Sequence, residues 1–168
     1  GLLVAAKNDG AHHYLAAQLA DHTMYRVYNA VLVGTPSPEE GTVNDPIGRD
    51  PRERKRMAVT ARGGKPAVTH YRVLERFTGY SLVSCRLETG RTHQIRVHMA
   101  FIGHPVVGDT VYGARRDPFG LEGQCLHARE LSFLHPRTGE RMTFQTELPA
   151  YFTALLARLR QIGRASCR

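Results

Sequence analysis

Two stretches hold most of the residues able to do chemistry. One is Gly90-Arg91-Thr92-His93-Gln94-Ile95-Arg96-Val97-His98, running on to Gly103-His104-Pro105-Val106-Val107-Gly108-Asp109; the other is Arg26-Val27-Tyr28-Asn29-Ala30. Arg96 sits between Ile95 and Val97 at the start of an apolar segment. A charge there is expected to meet a carboxylate or a phosphate, and of the two the carboxylate is favoured. His93 and His98 are too far apart to share the helical face a zinc pair needs, and no acid follows at ligand spacing, so no metal site is expected. Tyr28, by residue type alone, is first a core aromatic of a strand. A glycosidase would need two carboxylates at a set separation, and this region offers only Glu88 and Asp109.

The chain that carries these residues has 168 residues, 42% of them hydrophobic, enough for one domain with a sizeable core and too apolar for disorder. Lys and Arg number 23 against 15 Asp and Glu, a formal charge of +8 that points to a polyanionic partner, nucleic acid first. No apolar run approaches the roughly 18 residues of a membrane span. The three cysteines, Cys85, Cys125 and Cys167, form no Cys-x-x-Cys pair and make an odd count, which fits a reducing cytoplasm better than a disulfide framework.

The elements that must position the chemistry follow from periodicity. Leu2 to Lys7 is expected as a strand, and a helix from about Ala11 to Ala20 follows the turn Asn8-Asp9-Gly10. Met24 to Val33 alternates, which puts Tyr28 on the same face as Arg26. Gly34 to Arg56, with four prolines and three glycines, is expected as a long loop whose Arg49, Arg52, Arg54, Lys55 and Arg56 contact phosphates. Ala67 to Phe77 and Tyr80 to Glu88 form a hairpin around Gly79. Thr92 is expected to cap a helix over 93–102, stopped by Gly103 and Pro105. Leu126 to Leu134 and Glu140 to Thr146 make a second hairpin. In a last helix ending near Gln161, Phe152, Leu155, Leu156 and Leu159 form one apolar stripe. Short turns between strands favour an α+β domain with a mixed, mostly antiparallel sheet and flanking helices.

The run Gly-Arg-x-His-Gln-Ile-Arg-Val-His at 90–98 with Gly-His-Pro-x-x-Gly-Asp at 103–109 resembles the signature of the RluA family of RNA pseudouridine synthases, and Lys65-Pro66-Ala67-Val68-Thr69-His70-Tyr71 fits as well. Arg56-Met57-Ala58-Val59 and Leu87-Glu88-Thr89-Gly90 are most similar to the branch acting on the large ribosomal subunit. The resemblance, over roughly residues 1–160, implies a basic cleft on a mostly antiparallel sheet. It also implies isomerisation of uridine to pseudouridine without metal or organic cofactor, on ribosomal RNA first and transfer RNA second, by a cytoplasmic monomer. It makes Tyr28 and Arg96 catalytic, Tyr28 packing on the base and Arg96 pairing with a nucleophilic Asp. Arg91, His93 and Gln94 join the basic loop as expected RNA contacts.

That Asp belongs to a His-Arg-Leu-Asp-x-x-Thr-Ser-Gly motif and would stand five residues before Gly1, so the chain as given is expected to be an N-terminally truncated and inactive piece. Residues 1–161 are expected as the C-terminal portion of the catalytic domain. Ile162 to Arg168 resembles a translated sequencing-library adapter and is expected to lie outside the fold. A basic RNA-binding module without base chemistry is the competing reading.

Overall fold

A computed structural model describes residues 1–165, with side chains to residue 163. Six strands form one antiparallel sheet in the order β2-β5-β6-β1-β7-β8, where β1 is Tyr25–Val33, β2 Glu40–Asn44, β5 Val68–Phe77, β6 Tyr80–Leu87, β7 Leu126–Leu134 and β8 Arg141–Gln145. A separate ribbon pairs β3, Ile47–Arg49, with β4, Met57–Val59. The helices are α1, Asp9–Ala20, α2, Gln94–Phe101, and α3, Ala150–Ala165. The architecture is α+β, and every strand pairing among the described residues is antiparallel rather than mixed.

Strand β1 is central, paired with β6 on one side and β7 on the other, and it is covered on both faces. Ala30 and Leu32 join Val83, Cys85, Ile95 and Met99 under α2, while Val31, on the opposite alternation, joins Phe152, Leu155, Leu156 and Leu159 of α3. The apolar stripe of α3 is fully used, at about 1.5–3 kcal/mol per buried side chain. Tyr28, in step with Ala30 and Leu32, therefore lies on the α2 face. Across β1 the ladder to β7 slips between Val27 and Tyr28 because Arg129 is an extra residue on β7.

Several expectations need correction. Leu2 to Lys7 is not a strand: its described sheet-like bond is Leu2 N to the Ala128 carbonyl at 3.0 Å, made where β8 no longer covers β7, and Leu2 and Val4 rest on Leu15 and Leu131. Asn8 is not in a turn before the helix but caps it, its Oδ1 accepting from Ala11 N at 2.9 Å, so α1 starts at Asp9. The stretch 34–56 is not a single loop; β2 pairs with the outer edge of β5, and β3 begins the ribbon. Strands this short, each with one or two buried apolar residues, carry too little period to be seen in sequence. Thr92 does not cap α2, because His93 takes that position in a left-handed conformation at φ 56°. Finally, α3 continues past Gln161 through Ala165. The last three residues of the adapter-like stretch lie outside the described residues.

Candidate active site

The start of α2 is fixed by a buried polar clamp. Gln94, 3% exposed, accepts through Oε1 from Thr89 Oγ1 at 2.7 Å and from Arg91 N at 3.0 Å. Its Nε2 donates to the Val68 carbonyl at 3.0 Å and to Thr69 Oγ1 at 2.9 Å. Thr69 Oγ1 in turn donates to His98 Nδ1 at 2.8 Å, which leaves His98 Nε2 to donate to the Asp45 carbonyl at 2.9 Å. Burial lowers the His98 pKa against smaller opposing effects of Asp45, so the ring is neutral, as this chain of donors requires. Every polar group of the clamp is satisfied, and the amide of Gln94 ties the start of α2 to β5 and to the turn before the helix.

Two residues further, Arg96 forms a two-pronged pair with Asp109, Nε to Oδ2 at 2.8 Å and Nη2 to Oδ1 at 3.0 Å. Asp109 Oδ1 also accepts from the amides of Val111 and Tyr112, both at 3.1 Å. Burial alone would raise the Asp109 pKa, but Arg96 and the two amides bring it below the ordinary carboxylate range. The same hydrogen bonds raise the Arg96 pKa against the effect of burial. A carboxylate does meet Arg96, but it is Asp109, whose place in the sequence suggested only the end of a motif, and not the upstream Asp that the resemblance implies.

Tyr112 is the residue that sequence reasoning missed. Its hydroxyl accepts from Met57 N of β4 at 3.0 Å and bonds His93 Nδ1 at 2.9 Å, while its ring lies beneath the guanidinium groups of Arg56 and Arg96. It ties the β3–β4 ribbon to the start of α2. Desolvation first, then the charge of Arg96, lowers the His93 pKa, so the neutral His93 ring accepts a hydrogen bond at Nδ1 from the Tyr112 hydroxyl. The signal available in sequence was its position three residues after Asp109, followed by Gly113.

Between β1, the turn before α2 and the start of β7 lies a cavity of about 310 Å³. Tyr28, Leu87, Ile95 and Leu126 give it apolar walls, and Arg26, Arg91, His93 and Arg96 a basic rim. Tyr28 and Arg96 are therefore brought together. Of two larger cavities, the one at the N-terminal segment sets Phe133 beside Lys7 and Arg137 and the one at residues 120–124 holds Tyr151 with no cation; neither contains Tyr28 or Arg96. Among the described residues no carboxylate lines the 310 Å³ cavity, Asp109 reaching Arg96 from outside it. Gly1 packs on Ala128, the β7 partner of Tyr28; a Cβ on it would come within 2.6 Å of the Ala128 amide nitrogen.

The remaining predicted contacts divide. Arg52, Arg54 and Lys55 are exposed at the tip of the β3–β4 ribbon. Arg49, also exposed, donates to the Arg54 carbonyl, and Arg56 is held by Asp50, by the Val111 carbonyl and by Tyr112. Arg91 lies at the cavity with its Nε bonded to the Pro66 carbonyl at 2.8 Å, and His93 is exposed there. Gln94 is a clamp residue, with little surface to offer a ligand. No group of three or more metal-ligating side chains occurs among the described residues, and no helix there is long and apolar enough to cross a membrane.

The family model described as RNA pseudouridylate synthase matches residues 1–101. An uncharacterized RNA pseudouridine synthase of Bacillus subtilis is 53% identical over 97% of this chain and 53% of its own length. The ribosomal large subunit pseudouridine synthase D of Pseudomonas aeruginosa is 47% identical over 96% of the chain and 53% of its own length. The chain thus spans about half the length of the curated relatives it matches. Among solved structures, human RNA pseudouridylate synthase domain containing 4 superposes with a TM-score of 0.72 at 26% identity, over 91% of this chain and 69% of that one.

Proposed function

Because the chain belongs to the RNA pseudouridylate synthase family, we propose that it supplies the RNA-facing part of an enzyme that isomerises uridine to pseudouridine, with large-subunit ribosomal RNA as substrate. The observation that carries this reading is the meeting of Tyr28 and Arg96 at one apolar-walled, basic-rimmed cavity. A uridine extruded from its stack would lay its base against Tyr28, with cations left at the rim for the backbone. The bond between N1 and C1′ then breaks, the uracil turns, and C5 bonds to C1′; C5 loses its proton and N1 takes one up, so that the product is an isomer of the substrate.

The Asp that attacks or stabilises the sugar or base is expected five residues upstream of Gly1. The packing of Gly1 beside the partner of Tyr28 supports that placement, since a chain arriving there passes next to the cavity. Arg96 Nη1, unbonded among the described residues, is available to such a carboxylate while Nε and Nη2 hold Asp109. The exposed Arg52, Arg54 and Lys55 of the ribbon extend the basic surface and would hold phosphates without reading sequence.

Release of tritium from RNA labelled at uridine C5 tests the reading. A protein carrying the upstream residues is expected to release tritium, and its Tyr28→Phe form to release it more slowly with RNA affinity kept. The 168-residue chain alone is expected to bind RNA without release, which the absence of a carboxylate at the cavity supports. A failure of the longer protein to release tritium, with RNA still bound, would favour the non-catalytic module instead.

A further inference from the structure

Three arginines line the cavity: Arg91 is hydrogen-bonded through Nε to the Pro66 carbonyl, while Arg96 and Arg26 stand in opposite electrostatic states. Arg96 is neutralised by Asp109. Arg26, on β1 beside Tyr28, has no carboxylate partner among the described residues; its Nε is buried with no hydrogen-bond partner, and its Nη1 passes directly beneath Gly90, where any side chain would collide with it. A guanidinium does not deprotonate in a protein, so Arg26 brings an uncompensated charge into a partly desolvated cavity. Such a charge destabilises the folded chain unless an anion joins it. Burial depresses the Arg26 pKa, the mark of a cation poorly solvated where it stands.

We infer that Arg26 is the anion-binding residue of the cavity and holds a backbone phosphate of the nucleotide whose base lies on Tyr28. The inference rests on the RNA-binding reading above and adds the group that anchors the nucleotide. The geometry favours a phosphate of the ligand because, among the described residues, the cavity wall supplies no acid. Arg96, already paired, orients its surroundings instead. Tyr28 and Arg26 share one strand face, so a base against the first places its own phosphate within reach of the second.

Binding of a fluorescein-labelled single-stranded oligouridylate to the 168-residue chain, followed by anisotropy across a range of salt concentrations, tests this. Arg26→Gln is expected to weaken binding roughly tenfold, the scale of one charge-assisted contact, and to flatten the salt slope by about 0.7. Arg26→Lys should keep most of the slope. Thermal melting of Arg26→Gln should be no lower than that of the parent, since an unpaired buried charge has been removed. A Gln variant that binds with the parent's affinity and slope overturns the inference and leaves the RNA-binding reading intact; this is also the outcome if Arg26 awaits a carboxylate of the protein. A Gln variant that melts clearly lower makes Arg26 a packing residue and overturns it too. A parent that does not bind the RNA overturns both.

Discussion

The α3 face of the sheet is held by Phe152, Leu155, Leu156 and Leu159, all nearly inaccessible and none with a polar atom in its side chain. The α2 face has its apolar cluster as well, but the start of α2 is set by Gln94, Thr69, His98 and the Arg96–Asp109 pair, each bonded in one geometry. Hydrophobic burial is non-directional and tolerates small displacements, whereas hydrogen bonds in a dry interior do not. The first face stabilises the domain; the second fixes where Tyr28, Arg26 and Arg96 stand relative to one another. Chemistry on a single nucleotide needs the second kind of construction.

Substitutions on the two faces should separate these roles. The largest loss of stability is expected for Phe152→Ala, about 4 kcal/mol from lost burial and a residual cavity, measured by urea unfolding. The folded fraction of that variant should still bind RNA as the parent does. Next is Asp109→Asn, about 3 kcal/mol, because Arg96 would keep its charge with a poorer partner. Here RNA affinity should fall under conditions where the protein remains folded, since the loop carrying Tyr112 loses its anchor.

The pH dependence of the two forms sharpens the contrast. The Asp109 pKa is depressed in the folded chain, so its contribution is complete above the ordinary carboxylate pKa of about 4 and disappears as pH falls through the folded value. The Asn variant should therefore lose less stability than the parent on acidification below that point. His98, neutral through burial, adds a second slope: its contribution is complete above about 6.5 and declines as pH falls below it. The smallest effect belongs to the exposed Arg160–Glu75 pair between α3 and β5. Arg160→Ala should change stability by no more than about 0.5 kcal/mol and leave RNA binding untouched.

The sequence made the long elements legible. The stripe of α3, both hairpins and the alternation that sets Tyr28 beside Arg26 all follow from period alone. The meeting of Tyr28 and Arg96 was implied by resemblance, and β1 and α2 lie against each other as that requires. What escaped has a shared cause, which is that it depends on contacts distant in the chain. His93 is left-handed at a helix start because Tyr112 holds its ring there. Asp109 becomes the partner of Arg96 only when residues 103–113 fold back over α2. The N-terminal segment has the apolar composition of a strand, yet the neighbouring β7 is paired with β8 over most of its length and offers it one backbone bond. The unpaired state of Arg26 is visible only as the absence of an acid, which no spacing rule reports.

The most direct test of the central claim is to follow backbone amide resonances of the 168-residue chain while single-stranded RNA is added. The account predicts that Arg26, Tyr28, Gly90, Arg91 and Gln124 shift or broaden while Phe152, Leu155 and Leu159 of α3 stay in place. Shifts confined to the α3 face, or an unperturbed cavity in the presence of bound RNA, would contradict it.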